Sequence, residues 1–245
     1  MKKLVTLTAL LMSTSLIAAP YIPLEQQVGS ITITEKSPNI KSGNLAPDEE
    51  DNRAPFINNG GFPPSTDTLD RTGKVISVAK DMVALGEAIY QLVKKGKPTN
   101  TTEFAAISVV PRDPMTKEHV DPFELENFSI PVEKDFSAII RNGLGKEVVR
   151  FEYTVVYSYG GTYNQTGKYL TNVMIVPKFV KTSFGWDFNA TMSLTGIMNH
   201  GSKADPVAGA MVTMKYQMNS WTASFERNDT LHITGNGQLK SFGIK

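Results

Sequence analysis

Trp186-Asp187-Phe188-Asn189-Ala190-Thr191-Met192-Ser193-Leu194-Thr195 alternates, residue by residue, between an apolar and a polar side chain. Successive side chains of an extended chain point to opposite faces, so this stretch dictates a strand with one buried and one solvated face. The same period of two recurs on either side of it. Upstream, Phe151, Tyr153, Val155, Tyr157 and Tyr159 alternate with Arg150, Glu152, Thr154, Val156 and Ser158. Downstream, Ala208, Ala210, Val212, Met214, Tyr216 and Met218 alternate with Gly209, Met211, Thr213, Lys215, Gln217 and Asn219. Further strands are predicted at 103–110, 123–132, 136–141, 169–176, 221–226, 230–234 and 238–242. Turn-forming residues fall between these runs: Gly143-Leu144-Gly145, Gly160-Gly161, Asn164-Gln165-Thr166-Gly167, Arg227-Asn228-Asp229 and Gly235-Asn236-Gly237. No second long helix is present to carry parallel crossovers, so the sheets are expected to be antiparallel. The predicted fold is mainly β, an antiparallel two-sheet β-sandwich, jelly-roll-like, spanning 102–245.

Between residues 68 and 95 the spacing changes. Val75, Val78, Ala79, Met82, Leu85, Ile89, Leu92 and Val93 recur at intervals of three and four, with Lys80, Glu87 and Lys94 on the other side. This pattern predicts an amphipathic α-helix packed against the sandwich. Asp67, Asp70 or Thr72 would cap it, and Lys94-Lys95-Gly96 with Pro98 would stop it. Helix and sandwich together make residues 68–245 a single domain.

Two segments precede that domain. Met1-Lys2-Lys3, the apolar stretch from Leu4 to Ile17 and the small pair Ala18-Ala19 have the layout of a secretory signal peptide, residues 1–18. Its apolar stretch of about 14 residues is short for a bilayer core of about 30 Å, so no transmembrane anchor is expected after cleavage. The expected location is secreted or periplasmic, and bacterial. Residues 19–67 hold seven of the 14 prolines with three basic and seven acidic residues, which predicts a flexible Pro-rich acidic arm or linker. Within it, Ser30-Ile31-Thr32-Ile33-Thr34 alternates, either as an edge strand or as an extended piece of the arm.

Composition narrows the chemistry. A chain of 245 residues buries enough surface to need no staples. It contains no cysteine, which excludes disulfides, thiol catalysis and Cys-ligated metals. A net charge of +1 lacks the electrostatic footprint of a nucleic-acid binder, so none is expected as a partner. The histidines are His119, His200 and His232; the first two fall in predicted loops, and the third points outward from a strand. There is no Gly-x-Ser-x-Gly elbow, His-Glu-x-x-His helix, phosphate loop or dinucleotide fingerprint, and no cofactor is expected.

Three groups of residues stand out as candidate sites. Tyr163, Asn164 and Gln165 lie in one predicted loop, and Asn199, His200 and Lys203 in another that exceeds the usual hairpin length. A Tyr among amides and hydroxyls is the composition of a binding loop. Asp113, Glu118, Asp121 and Glu124 supply oxygen ligands for a hard cation such as Ca²⁺, although their spacing matches no defined calcium loop.

The function expected from these features is an exported, non-enzymatic β-sandwich that binds or builds within a bacterial envelope or surface assembly. A protein partner or self-association is favoured. A glycan remains open, but Trp186 and Trp221 both fall at positions expected to face inward. Two alternatives stand beside it. One is a secreted membrane-active or pore-forming factor that refolds through 183–219. The other is a hydrolase assembled from dispersed residues.

Overall fold

The computed structural model describes residues 22–36, 75–99 and 106–242. It contains two antiparallel sheets packed face to face as a sandwich. The strands are β1 (Val28–Glu35), β2 (Val75–Val78), β3 (Met82–Leu85), β4 (Ile89–Lys94), β5 (Lys97–Pro98), β6 (Ile107–Pro111), β7 (Val132–Asn142), β8 (Glu147–Tyr163), β9 (Thr166–Thr182), β10 (Trp186–Asn199), β11 (Ala208–Ser220), β12 (Ser224–Thr234) and β13 (Leu239–Ser241). One sheet has the order β1-β7-β8-β9-β6-β3-β2, the other β13-β12-β11-β10-β4-β5. Strands β7 to β9 and β10 to β13 form two meanders, joined by tight turns except for the longer β10–β11 loop, so neighbours in the sheet are mostly neighbours in the chain. That order differs from the Greek-key connections of a jelly roll.

Alternation does what the sequence demands in the long strands. Phe151, Tyr153, Val155 and Tyr157 of β8 meet Phe188, Met192, Val212, Met214 and Tyr216 of the facing sheet in one buried core, which also takes Trp186. Phe151 packs at 5.6 Å from Phe188 and edge-on at 6.4 Å from Tyr216, centroid to centroid. The hydroxyl of buried Tyr90 on β4 accepts the Ile175 amide at 3.1 Å, a polar tie between the sheets.

The helix expected over 68–95 is not there. Residues 68–74 lie outside the described residues, and those from 75 to 94 form β2, β3 and β4. Met82-Val83-Ala84-Leu85 is buried at every position, because β3 lies inside the sheet between β2 and β6. A strand covered on both faces shows no alternation. Three short strands joined by connections of three residues each then reset the phase often enough to imitate a spacing of three and four. Ala79 donates its amide to the Met82 carbonyl at 2.9 Å to close the first turn. Gly86, at φ 126°, takes a conformation closed to other residues and to a helix.

Smaller differences follow the same logic. Arg227-Asn228-Asp229, expected as a turn, runs through the middle of β12, with Asp229 opposite Met214. Gly160-Gly161 sits inside β8 at an irregularity in its register with β9. Of the strand expected at 123–132 only its last residue belongs to β7; Pro122–Glu124 instead forms a single 3₁₀ turn. Ser30–Thr34 lies within β1, which pairs with β7 at the edge of its sheet. The signal peptide and the rest of the acidic arm lie outside the described residues. Among the described residues no helix is long and apolar enough to cross a membrane.

Candidate functional sites

At one end of the sandwich the β2–β3 turn, the segment after β6, the β8–β9 hairpin and the β10–β11 loop meet around a groove of about 410 Å³. Tyr163 and Thr166 pair across a two-residue turn in which Asn164 and Gln165 have φ of 50° and 62°. Asn suits this left-handed geometry, whereas Gln at the second position is unusual. The turn sets Tyr163 and Asn164 on the groove wall, with Lys203 contributed from the facing loop. The Tyr163 hydroxyl donates to Asp113 Oδ2 at 2.9 Å, joining two walls. Asp113 Oδ1 accepts the amides of Met115 and Thr116 at 2.7 and 2.8 Å. Those Thr116 and Met115 amides, with the Tyr163 hydroxyl, hold the Asp113 carboxyl below its ordinary pKa. Lys80, Arg112, Lys117 and Lys203 line the groove against Asp81 and Asp113, so cations outnumber acids there. The β10–β11 loop is anchored from within. Asn199 Oδ1 accepts the Gly201 and Val207 amides at 2.8 and 2.9 Å, and Asp205 accepts the Gly167 amide at 3.1 Å.

A second concavity, about 460 Å³, lies on the outer face of the β10–β13 sheet. His200 and His232 approach Nε2 to Nε2 at 3.0 Å, with ring centroids 4.8 Å apart. They rest above Gly209, where an added Cβ would lie 2.6 Å from one ring nitrogen and 3.0 Å from the other. The bare backbone of β11 is what leaves room for the pair. Burial lowers the His232 pKa, reinforced by the neighbouring His200 and Lys240 charges. Met198 and Met211 line the same pocket.

The structure thus brings Tyr163, Asn164, Lys203 and Asp113 to one groove and sends His200 to a different site. Asn199 shapes its own loop, and Gln165 occupies the turn without lining the groove. Glu118, Asp121 and Glu124 do not join Asp113. The Asp121 carboxylate instead accepts the Phe123 amide at 2.9 Å at the start of the 3₁₀ turn. Among the described residues no group of three or more His, Cys, Asp or Glu is placed to hold a metal ion. Sequence reasoning missed Met198, Met211 and His232 as a group, because only the register of β10, β11 and β12 assembles them. It also misplaced Trp221. Trp186 is buried, but Trp221 is 71% exposed and stands edge-on to Phe184, 91% exposed, at 5.3 Å on the end opposite the groove. Comparison with family models, curated proteins and solved structures finds no match in any of the three.

Proposed function

We propose that this protein is an exported, non-enzymatic binding module of a bacterial envelope or surface assembly, secreted or periplasmic, and that it holds a protein partner in the groove at the Tyr163 end. The observation that carries this reading is the convergence of four separate connections on one open, polar and aromatic groove, with Tyr163 fixed by Asp113. Loops on a rigid scaffold are where recognition residues concentrate. The excess of Lys and Arg along the groove suits an acidic segment of the partner. A rigid aromatic ring beside adaptable amides suits protein contact.

The test places a photo-crosslinking amino acid at Thr166 in one protein and at Leu144, on the far end, in another. Both are then irradiated in the envelope fraction of the source cells. A discrete adduct from position 166 that disappears in a Lys203→Glu background supports the reading. Equal labelling from both positions, or none from position 166, overturns it.

A second reading, contact with a membrane surface, draws on exposed Phe184 and Trp221. Aromatic side chains of this kind settle at the bilayer interface. Co-sedimentation with anionic liposomes that is lost in Phe184→Ser/Trp221→Ser would favour it over a protein partner.

A further inference from the structure

We infer that the outer face of the β10–β13 sheet carries a copper(I) site, built from the imidazoles of His200 and His232 and the thioethers of Met198 and Met211. It is separate from the groove and stands or falls independently of it. Copper(I) is soft and takes imidazole together with thioether sulfur. A chain without cysteine can offer a soft cation sulfur only through methionine. Of the ten methionines, these two line the pocket that also holds the histidine pair, whereas Met82, Met192, Met214 and Met218 are buried in the core.

The register places the four donors. Met211 on β11 stands directly opposite His232 on β12, and Met198 on β10 directly opposite Gly209. Opposed side chains on one face start about 4.5–5.5 Å apart and diagonal neighbours about 7–8 Å, within reach of a methionine. His200 comes from the β10–β11 loop and drops its Nε2 against that of His232 at 3.0 Å, over the gap left by Gly209. Two imidazole nitrogens each about 2.0–2.1 Å from one tetrahedral metal lie about 3.3 Å apart. The pair therefore needs to open by only a few tenths of an ångström. Without metal, one imidazole donates its Nε2 proton to the other. On binding, that proton moves to Nδ1 of the same ring, so both Nε2 lone pairs face the ion and neither charge nor oxidation state changes. Zinc would use the two nitrogens but gain little from thioethers, which separates the two metals.

The full chain is titrated anaerobically with copper(I) against bicinchoninate, and in parallel with zinc against a zinc-responsive dye. The expected result is one copper(I) per chain. Binding should weaken at least 100-fold in His232→Ala and in the loop variant His200→Ala, which guards against a folding defect in the strand variant. Met211→Leu should weaken copper(I) about tenfold and leave zinc unchanged, and X-ray absorption should show sulfur as well as nitrogen around the copper. Failure to compete for copper(I), binding indifferent to both histidine variants, or a Met211→Leu protein that holds copper(I) as tightly as the parent would each overturn the assignment.

Discussion

Tyr153 of β8 and Tyr216 of β11 meet hydroxyl to hydroxyl at 3.2 Å, both buried in the space between the sheets. Burial drives the Tyr216 hydroxyl well above its ordinary pKa and raises that of Tyr153 as well, so both stay protonated and one donates to the other. Each is the other's answer to desolvation. Tyr216→Phe is expected to leave the Tyr153 hydroxyl buried without this partner and to destabilise the fold by about 1–3 kcal/mol. Removing both hydroxyls takes away the unsatisfied group as well. The double variant Tyr153→Phe/Tyr216→Phe is therefore expected to be more stable than the sum of the single effects implies. Denaturant unfolding of the four proteins of this cycle measures the coupling. Strict additivity would show that the two hydroxyls do not depend on each other.

Asp229, buried on the inner side of β12, predicts a pH dependence. Its carboxylate accepts the Ser241 hydroxyl of β13 at 3.1 Å and the Thr230 amide. Burial raises its pKa above the ordinary carboxylate value despite those bonds. A group whose folded pKa lies above its unfolded pKa adds stability that is complete below the unfolded value and fades as pH rises through the folded one. Ionised Asp229 is thus a liability at neutral pH. Asp229→Asn is expected to raise Tm relative to the parent at pH 7, with the gap narrowing as pH falls through the raised folded pKa of the parent carboxyl and closed below its unfolded value of about 4. A variant less stable by the same amount at both pH values would show that charge burial is not what distinguishes the two.

Where a strand has one wet face, its sequence announces it. β8, β10 and β11 follow the alternation of residues 150–159, 186–195 and 208–219 because most side chains on the face away from the core reach solvent, with Thr154 and Ser158 of β8 buried polar exceptions. The failure over 75–94 has the opposite cause, since interior β3 and its neighbour β6 are buried at every position and carry no period of two. Loop composition pointed to Tyr163, Asn164 and Lys203, but their meeting with Asp113 and Arg112 depends on which connections share an end of the sandwich. The histidine pair was less legible still. His200 and His232 are separated by a loop and a complete hairpin, and only the β11–β12 register, together with a glycine at position 209, lets the rings touch.

Glycine positions separate close approach from mere flexibility. At Gly235 an added Cβ would lie 2.1 Å from the backbone carbonyl oxygen of Lys168, where the ends of β9 and β12 meet. Neither backbone can yield cheaply, so Gly235→Ala is expected to destabilise by about 1–3 kcal/mol, the cost of overpacking. At Gly196 on β10 the added carbon meets nothing within 4 Å and the backbone is not left-handed. Gly196→Ala is expected to be neutral or to stabilise by up to about 1 kcal/mol, by restricting the unfolded chain. Thermal unfolding of both variants checks the pair, and the opposite ranking would contradict the packing at the β9–β12 junction.

The bond between Tyr163 and Asp113 can be read separately from any partner. Asp113 is held below its ordinary pKa first by the Thr116 amide, then by the Met115 amide, and third by the Tyr163 hydroxyl. Tyr163→Phe removes only the last. The Asp113 carboxyl is therefore expected to titrate at a higher pH in the variant, while staying below the ordinary carboxylate value because both amides still donate. The Tyr163 side of the bond obeys the same rule in reverse: the carboxylate raises the phenol pKa, so Asp113→Asn should lower it. Carboxyl-carbon NMR titration of the parent and of Tyr163→Phe reads the first effect, and the tyrosine ring-carbon signal of Asp113→Asn reads the second. An Asp113 titration unmoved by loss of the hydroxyl would mean that the tyrosine does not rest on this carboxylate in solution. The groove wall that the proposed function relies on would then lose its fixed aromatic anchor.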